Sequence, residues 1–378
     1  VNGIENAMRI GINLLYLIPG VVGGTETYAA GLLYGLEQVD KENEFIVFLN
    51  EESVNWGMPK APHFSRVVCP VRATNRARRY FFEQFCFPEL LKKNKIDLLH
   101  SLGYVGPLLT PCPHIVTVPD LNYRAVGYDM RFVKRNVLRF FSTWSIRKAK
   151  AVITISNFSK KAICSELKIH PDKVSVTWLG PKSGRFFLSP EDPSRIKEQY
   201  RISGSYIVAF GGGSKHKNIP RLLDAYEKIK KKISCKLVMI GHLPPNVNQL
   251  ELPGGIIVTG YVPTEHVSPL LAGADVFVLP TLYEGFGLPV LEAQQAGVPV
   301  VCSSAGALPE VAGEAAVFFD PLSVDEMTDK ILQVLGDESQ RSELRKKGLE
   351  NVAKFSWEKT ALATLTVYNH VYSEWRNA

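Results

Sequence analysis

Six cysteines are scattered through 378 residues (Cys69, Cys86, Cys112, Cys164, Cys235 and Cys302), and no C-x-x-C pairs any of them. Several lie inside apolar runs, so they read as buried free thiols of a reducing cytoplasm. No Asp-x-Asp occurs, so nothing indicates a metal-bridged diphosphate. No G-x-G-x-x-G occurs with an acid placed for a ribose, which argues against a nicotinamide dehydrogenase. A pyridoxal-type lysine motif is also missing, which argues against a phosphorylase. The first residues show no basic n-region followed by an apolar h-region, so a cytoplasmic location is expected. Ser101 to Pro119 is uncharged, but Pro107, Pro111, Pro113 and Pro119 interrupt it, so it does not read as a membrane span. Short repeats and low-complexity tracts are absent. Residues 1–7 are expected to be an expression remnant, with the native start at Met8.

What is present is ordinary for a soluble globular protein: 46% hydrophobic and 21% charged residues, in a chain long enough for two α/β cores. Residues 8–180 alternate strands and helices. Strands are predicted at Arg9–Leu15, Phe45–Leu49, Arg66–Cys69, Asp97–Ser101, His114–Val118, Ala151–Ser156 and Val174–Trp178. Helices are predicted at Thr25–Leu36, Arg76–Lys93 (bent near Pro88), Arg131–Ala149 and Asn157–Glu166. Residues 181–205 turn Pro-, Ser- and charge-rich and read as a linker. A second alternation over 206–356 begins with Tyr206–Phe210 and continues through Lys236–Ile240, Ile256–Val262, Asp275–Pro280 and Val298–Cys302. Residues 357–378 read as a final helix. The fold class is therefore α/β, with two doubly wound parallel sheets whose ligand-binding rims face across a cleft.

The net charge of +7 is uneven. Arg72, Arg76, Arg78 and Arg79 form one cluster; Arg131, Lys134, Arg135, Arg139, Arg147, Lys148 and Lys150 form another. Both lie in the first half, where they suit a phosphorylated acceptor, a lipid pyrophosphate or a membrane surface, or form a solvated helix face. Val133, Val137, Phe140, Phe141 and Trp144 share one helical face, expected to pack on the sheet or else to dock on a membrane. No nucleic-acid partner is expected.

The most informative run is Tyr283-Glu284-Gly285-Phe286-Gly287-Leu288-Pro289-Val290-Leu291-Glu292-Ala293. An apolar strand leads into it, and Pro289 suits a first helical turn. One acid thus sits on a strand-to-helix loop and the other in the first turns of the helix. Between them lie backbone N–H groups of the kind a helix N-terminus offers to an anion. A ligand with hydroxyls at both ends and a diphosphate between, such as a sugar nucleotide, fits that layout.

This run, with A-x-x-A-G-x-P-V-V after it, resembles the E-x7-E signature of the family-4 retaining glycosyltransferases of GT-B fold. The resemblance runs from Met8 to about Trp375. It implies that Glu284 contacts donor-sugar hydroxyls and Glu292 the ribose, while the loop of Gly285, Phe286, Gly287 and Leu288 holds sugar and phosphate. It also implies a C-terminal helix that crosses back to the first domain. Pro19-Gly20-Val21-Val22-Gly23-Gly24-Thr25-Glu26 resembles the family's glycine-rich loop, with Gly23 and Gly24 close to the donor. Gly211-Gly212-Gly213-Ser214-Lys215-His216-Lys217 resembles its phosphate-binding segment, with Lys217 at the diphosphate beside Gly212, Gly213 and Ser214. Many relatives carry Arg where this chain has Gly211 or His216. Tyr261 and Val262 match the turn that faces the nucleobase, and Ser303 to Glu310 match the loop that follows, with Glu310 expected to be structural.

Pro119-Asp120 matches a His-Asp pair at a strand end, with proline in the place of the histidine. Asp120 is left to orient an acceptor or sugar hydroxyl, or simply to cap a helix. His100 either points into the same cleft or is a satisfied core histidine. The resemblance implies transfer with retention and without metal or cofactor. Lys217, loop amides and helix dipoles would meet the leaving-group charge, and Glu284 and Asp120 would serve at the reacting centre. The expected partners are a UDP- or GDP-linked donor and a glycan or lipid-linked acceptor, with peripheral contact at the inner membrane face. The competing readings are a sugar-nucleotide-binding protein of little activity and a sugar-nucleotide epimerase of the same fold.

Overall fold

The computed structural model describes residues 7–125, 132–181, 192–245, 247–249 and 252–377; the rest of the expected N-terminal remnant, most of the first part of the expected linker and Arg131 lie outside them. Two sheets organise these residues. The first contains β1 (Arg9–Asn13), β2 (Glu44–Leu49), β3 (Phe64–Val68), β4 (Leu98–Ser101), β5 (His114–Thr117), β6 (Ala151–Thr154) and β7 (Val174–Val176). Their order is β3-β2-β1-β4-β5-β6-β7, with every pairing parallel. The second contains β8 (Tyr206–Phe210), β9 (Lys236–Ile240), β10 (Ile256–Val258), β11 (Val276–Leu279), β12 (Val300–Ser303) and β13 (Val317–Phe319). Their order is β10-β9-β8-β11-β12-β13, again all parallel. The short β13 was not among the predicted strands.

Parallel strands must be covered on both faces, and the side-chain alternation shows it. Tyr206, Val208, Phe277 and Leu279 enter one core with Ile196, Leu270, Val290 and Ala293. Ile207, Ala209, Val276 and Val278 enter the opposite core with Leu222, Tyr226, Met327 and Ile331. Each buried aliphatic contributes about 1.5–3 kcal/mol relative to exposure. Ile196 belongs to helix Pro193–Gln199, so the later part of the expected linker supplies core to the second sheet.

The chain divides into two compact units, one around each sheet, and Ser356–Ala378 groups with the first. Helix Trp357–Arg376 packs on helix Gly24–Val39. The reason is specific. A Cβ at Gly31 would fall inside the Trp357 indole, and one at Gly35 would overlap the Trp357 carbonyl. Gly180 abuts the same tryptophan, and Thr360 Oγ1 donates to Trp178 O at 2.6 Å. The terminal helix thus returns to the first unit, where the tryptophan fills a notch left by two glycines one helical turn apart.

Of two helices in the first unit, one is irregular where expected and the other departs from expectation. Arg76–Lys93 is interrupted by a π-turn at Phe82–Cys86, two residues before Pro88, whose missing N–H breaks the regular ladder there. On helix Phe132–Lys148 the buried residues are Ser142, Ser145 and Ile146, followed by Ala149. Of the stripe expected to pack on the sheet or dock on a membrane, Val137, Phe140 and Trp144 are exposed, Phe141 is half-buried and stacks on Tyr80 at 4.7 Å, and the Val133 side chain lies outside the described ones. Ile146 and Ala149 enter the core with Val116 and Val152, while Ser142 Oγ bonds with Tyr123 Oη at 2.8 Å and Ser145 Oγ donates to Gly106 O at 3.0 Å. Of the cysteines, Cys69, Cys112, Cys235 and Cys302 are buried free thiols, Cys164 is intermediate and Cys86 is exposed. Among the described residues no helix is long and apolar enough to cross a membrane.

The Gly31–Trp357 notch predicts that Gly31→Ala destabilises the first unit by about 1–3 kcal/mol through overpacking. Urea unfolding followed by tryptophan fluorescence checks this, and a wild-type midpoint would contradict it.

Candidate functional site

β8 and β11 are neighbours, and their following loops leave from the same carboxyl edge. Leu282 N donates to His216 O at 2.7 Å and ties the two loops together. Across this tie, Lys217 Nζ lies 2.9 Å from Glu284 Oε1, with the side chains 25% and 14% exposed. The sequence-predicted phosphate-side cation and sugar-side acid therefore meet directly. Lys217 ends a tight turn, Lys215–Lys217, closed by its N–H to Ser214 O at 3.0 Å.

Asn218 makes this arrangement rigid, and sequence reasoning gave it no role. It is buried in the left-handed region (φ 58), and its Nδ2 donates to Pro280 O at 2.9 Å and Pro321 O at 2.8 Å. Its Oδ1 accepts from Arg221 Nη1 at 2.9 Å. One side chain thus joins the ends of β8 and β11 to the segment after β13. Asparagine tolerates that backbone conformation better than most residues.

The Glu284 loop rests on the loop after β12. Ala307 N donates to Glu284 O at 2.9 Å, and Ser303 Oγ donates to Thr281 O at 2.6 Å. Gly306 (φ +65) lies so close that a Cβ would overlap the Glu284 backbone. Gly287 (φ 111) then opens helix Leu288–Gln295, with Pro289 in its first turn. Phe286 is buried and its ring meets Phe355 edge-on at 5.9 Å, so it anchors the loop and offers a ligand only backbone. Glu292 is buried on the second turn of the helix. Gln294 fixes this helix from the far side: its Nε2 donates to Ala315 O at 3.3 Å and its Oε1 accepts from Asn351 Nδ2 at 2.9 Å.

The glycine loop after β8 has a steric logic. A Cβ at Gly211 would sit 2.5 Å from His242 O, whereas Gly212 and Gly213 have only Lys217 Cγ (3.4 Å) and Pro245 Cδ (3.7 Å) nearby. Glycine at 211 is thus a packing requirement, and 212–213 is an open stretch of backbone. Tyr261 follows the Gly241–Gly260 bridge and is 80% exposed, while Val262 packs against the core.

In the first unit, the exposed Gly23 (φ +59) and Gly24 open helix Gly24–Val39, with nothing near either Cα that a Cβ would strike. Glu26 is used locally: its Oε2 accepts from Gly20 N at 2.8 Å and its Oε1 from Trp56 Nε1 at 3.1 Å. Asp120 Oδ1 accepts from Tyr104 Oη and from Asn122 N, both at 3.0 Å, so it caps helix Asn122–Ala125. His100 is a core residue. Its Nδ1 lies 2.6 Å from Tyr368 Oη and its Nε2 2.7 Å from Thr117 Oγ1, so it helps fasten the terminal helix. His114 Nε2 lies 3.0 Å from Ser101 Oγ. Burial pushes both imidazoles down to about 3, each with a smaller push from a second group, His114 for His100 and Lys173 for His114. The Glu83 carboxyl, which accepts from Asn13 Nδ2 at 2.7 Å, is pushed up by burial. Among the described residues no group of three His, Cys, Asp or Glu side chains is placed to hold a metal ion.

Comparison with known proteins gives matching results for the two units. Residues 22–180 match the family described as Glycosyltransferase Family 4, and residues 193–351 match Glycosyl transferases group 1. The O-antigen chain mannosyltransferase B of Escherichia coli is 36% identical over 59% of this chain, and the match spans 61% of that protein. Among solved structures, sucrose-phosphate synthase from Thermosynechococcus elongatus superposes with a TM-score of 0.76 at 18% identity, covering 97% of this chain and all of that one. Anabaena HepE in complex with UDP and glucose gives 0.73 at 15% identity, covering 96% and 99%. These structural likenesses establish a GT-B fold.

The buried imidazoles set a pH dependence. In the fold both stay neutral down to about 3, whereas the unfolded chain takes up protons near the ordinary 6.5. Their stabilisation is fully present above the higher value and is lost as pH falls toward the lower, by about 1.4 kcal/mol per pH unit for each ring. Urea unfolding at pH 7, 6 and 5 should show the decline, and His100→Gln should flatten it; an equal slope in the variant would refute the assignment. At Gly306, alanine should displace the Glu284 backbone and destabilise the second unit by about 1–3 kcal/mol. Urea unfolding followed by circular dichroism reads that out, and a wild-type midpoint would contradict it.

Proposed function

The chain belongs to the family-4 glycosyltransferases, and from that premise we propose that it moves a sugar from a UDP- or GDP-linked donor to a glycan or lipid-linked acceptor in cell-surface polysaccharide synthesis. The carrying observation is the Lys217–Glu284 pair at 2.9 Å, one helix start away from buried Glu292. A cation for a diphosphate and a carboxylate for sugar hydroxyls lie together, and a carboxylate for a ribose sits on the helix that follows, which are the groups a sugar nucleotide calls for. Mannose is the first donor sugar to test, because the similar Escherichia coli protein is called a mannosyltransferase. UDP is the first nucleotide, because the similar Anabaena structure holds it.

In the proposed reaction the acceptor oxygen bonds to the anomeric carbon on the face that the phosphate leaves. The carbon–phosphate-oxygen bond breaks with its electron pair, and the departing phosphate takes the acceptor's proton. Configuration is retained without a metal. Lys217, the open amides at Gly212 to Ser214 and those at Gly285 to Leu288 stabilise the charge on the leaving diphosphate. Glu284 positions the sugar; Tyr261 and Val262 border the base. Gly23, Gly24 and Asp120 are assigned to the acceptor side. A sugar-nucleotide-binding protein without turnover is the second reading, favoured by Pro119 where the family has histidine and by the capping role of Asp120.

Calorimetry against UDP- and GDP-sugars without metal tests the site. Glu292→Ala should weaken binding of the free nucleoside diphosphate by about 1–3 kcal/mol for each hydrogen bond lost. Glu284→Ala should hurt transfer and intact-donor binding more than nucleotide binding. Wild-type affinities in both variants would remove the assignment, and donor binding without turnover on any acceptor would favour the second reading.

A further inference from the structure

The second sheet has a cavity at the edge opposite to the one that sends out the loops of Lys217 and Glu284. It lies where β8 and β9 begin, around the paired residues Tyr206 and Lys236, and has a volume of about 460 Å³, within the range of small-molecule sites. Gly204, Ser205, Lys230, Lys231, Ser234 and Lys236 are among the residues that line it, and no Asp or Glu is. Doubly wound sheets bind ligands outside the carboxyl edge, and a strand as long as β8 spans about 17 Å. The cavity is therefore a strand's length away from Lys217. Tyr226 ties its walls together: its Oη donates to Cys235 O at 2.9 Å, and a Cβ on Gly255 (φ +94) would lie 2.3 Å from the same Oη.

Ammonium, hydroxyl and amide donors dominate this space. Lys230 is held by Glu227 at 2.8 Å, and Ser205 Oγ donates to Asp275 Oδ2 at 2.5 Å. Lys231 and Lys236 have no carboxylate partner among the described residues; Lys236 Nζ donates to Ser203 Oγ at 2.6 Å. Nor does any described residue accept from the backbone N–H of Gly204, Ser205, Ser234 or Cys235. Lys230 and Lys231 follow helix Ile219–Ile229, where a cation suits the helix dipole by itself. Lys236 opens β9 and serves no helix, yet it lines the same cavity. Lysines from two elements, set among hydroxyls and open amides, make the donor set that a phosphate group takes. We propose that this cavity is a second ligand site, for a small molecule carrying a phosphate, with Lys231 and Lys236 meeting the phosphate oxygens. The inference is independent of the donor reading.

The test is calorimetry of the full chain with inorganic pyrophosphate and with glucose 6-phosphate as probes. Pyrophosphate also suits the Lys217 loop, so both probes are titrated into the wild type, Lys217→Ala, and Lys231→Ala with Lys236→Ala. A binding event should survive Lys217→Ala and weaken about tenfold or more in the double variant. Ser234 is exposed, so Ser234→Asp sets a carboxylate into the cavity without touching the core. That variant should abolish the same event while thermal unfolding and UDP affinity stay at wild-type values. Two results would overturn the proposal: no event that survives Lys217→Ala, or wild-type affinity in both cavity variants. Binding lost only in Lys217→Ala would remove this site and leave the donor reading standing; binding lost only in the cavity variants would sustain it whatever becomes of that reading.

Discussion

Two parallel strands that lie side by side cannot be joined by a tight turn, so each must send its chain away over a face of the sheet. At β8 and β11 the chain leaves in opposite directions, toward β9 on one side and β12 on the other. At such a reversal parallel sheets form a crevice outside the carboxyl edge, and here the Leu282–His216 bond and the Lys217–Glu284 pair reach across it. Lys217, Asn218 and Glu284 all belong to the two loops that border it, and Glu292 lies on the helix that follows one of them. The same reversal at β1 and β4 places Gly23 and Gly24 after β1. Topology comes first, and the chemistry occupies what it leaves open.

A gap alone would be too loose for chemistry. Asn218 and Gly306 supply the stiffness, one by bonding to two carbonyls and the other by having no side chain. The Lys217–Glu284 pair depends on both. Partly buried, it carries a desolvation cost that its geometry offsets, and in the proposed reaction a diphosphate would compete with Glu284 for the same ammonium. A ligand must therefore satisfy both partners of the pair at once, which suits a molecule carrying hydroxyls next to phosphate.

The parts legible in the sequence were those written as contiguous patterns. Apolar runs marked the strands through β12, and the Glu284–Glu292 run with its proline marked the loop and helix between them. What stayed hidden depends on contacts distant along the chain. Nothing near Asn218 announces that its amide reaches Pro321, and nothing near Gly306 announces the Glu284 backbone. β13 is only three residues long, too short for alternation to register. Helix Phe132–Lys148 shows a different limit. Periodicity grouped Phe141 with Val137, Phe140 and Trp144 and pointed them all inward, whereas Phe141 is half-buried against Tyr80, the other three are exposed, and the core is entered by Ile146 and Ala149. His100 was settled only by its partner Tyr368, far along the chain.

The glycine notch that receives Trp357 also bears on how the protein comes into being. Gly31 and Gly35 leave the ribosome early, and the tryptophan that fills the space between them leaves only after the whole second unit has been translated. Domains usually complete themselves in the order of synthesis. Here the first unit must wait with an uncovered groove on its leading helix while the second, whose last stretch ends at Phe355, has already been translated in full. The part begun first is the part finished last.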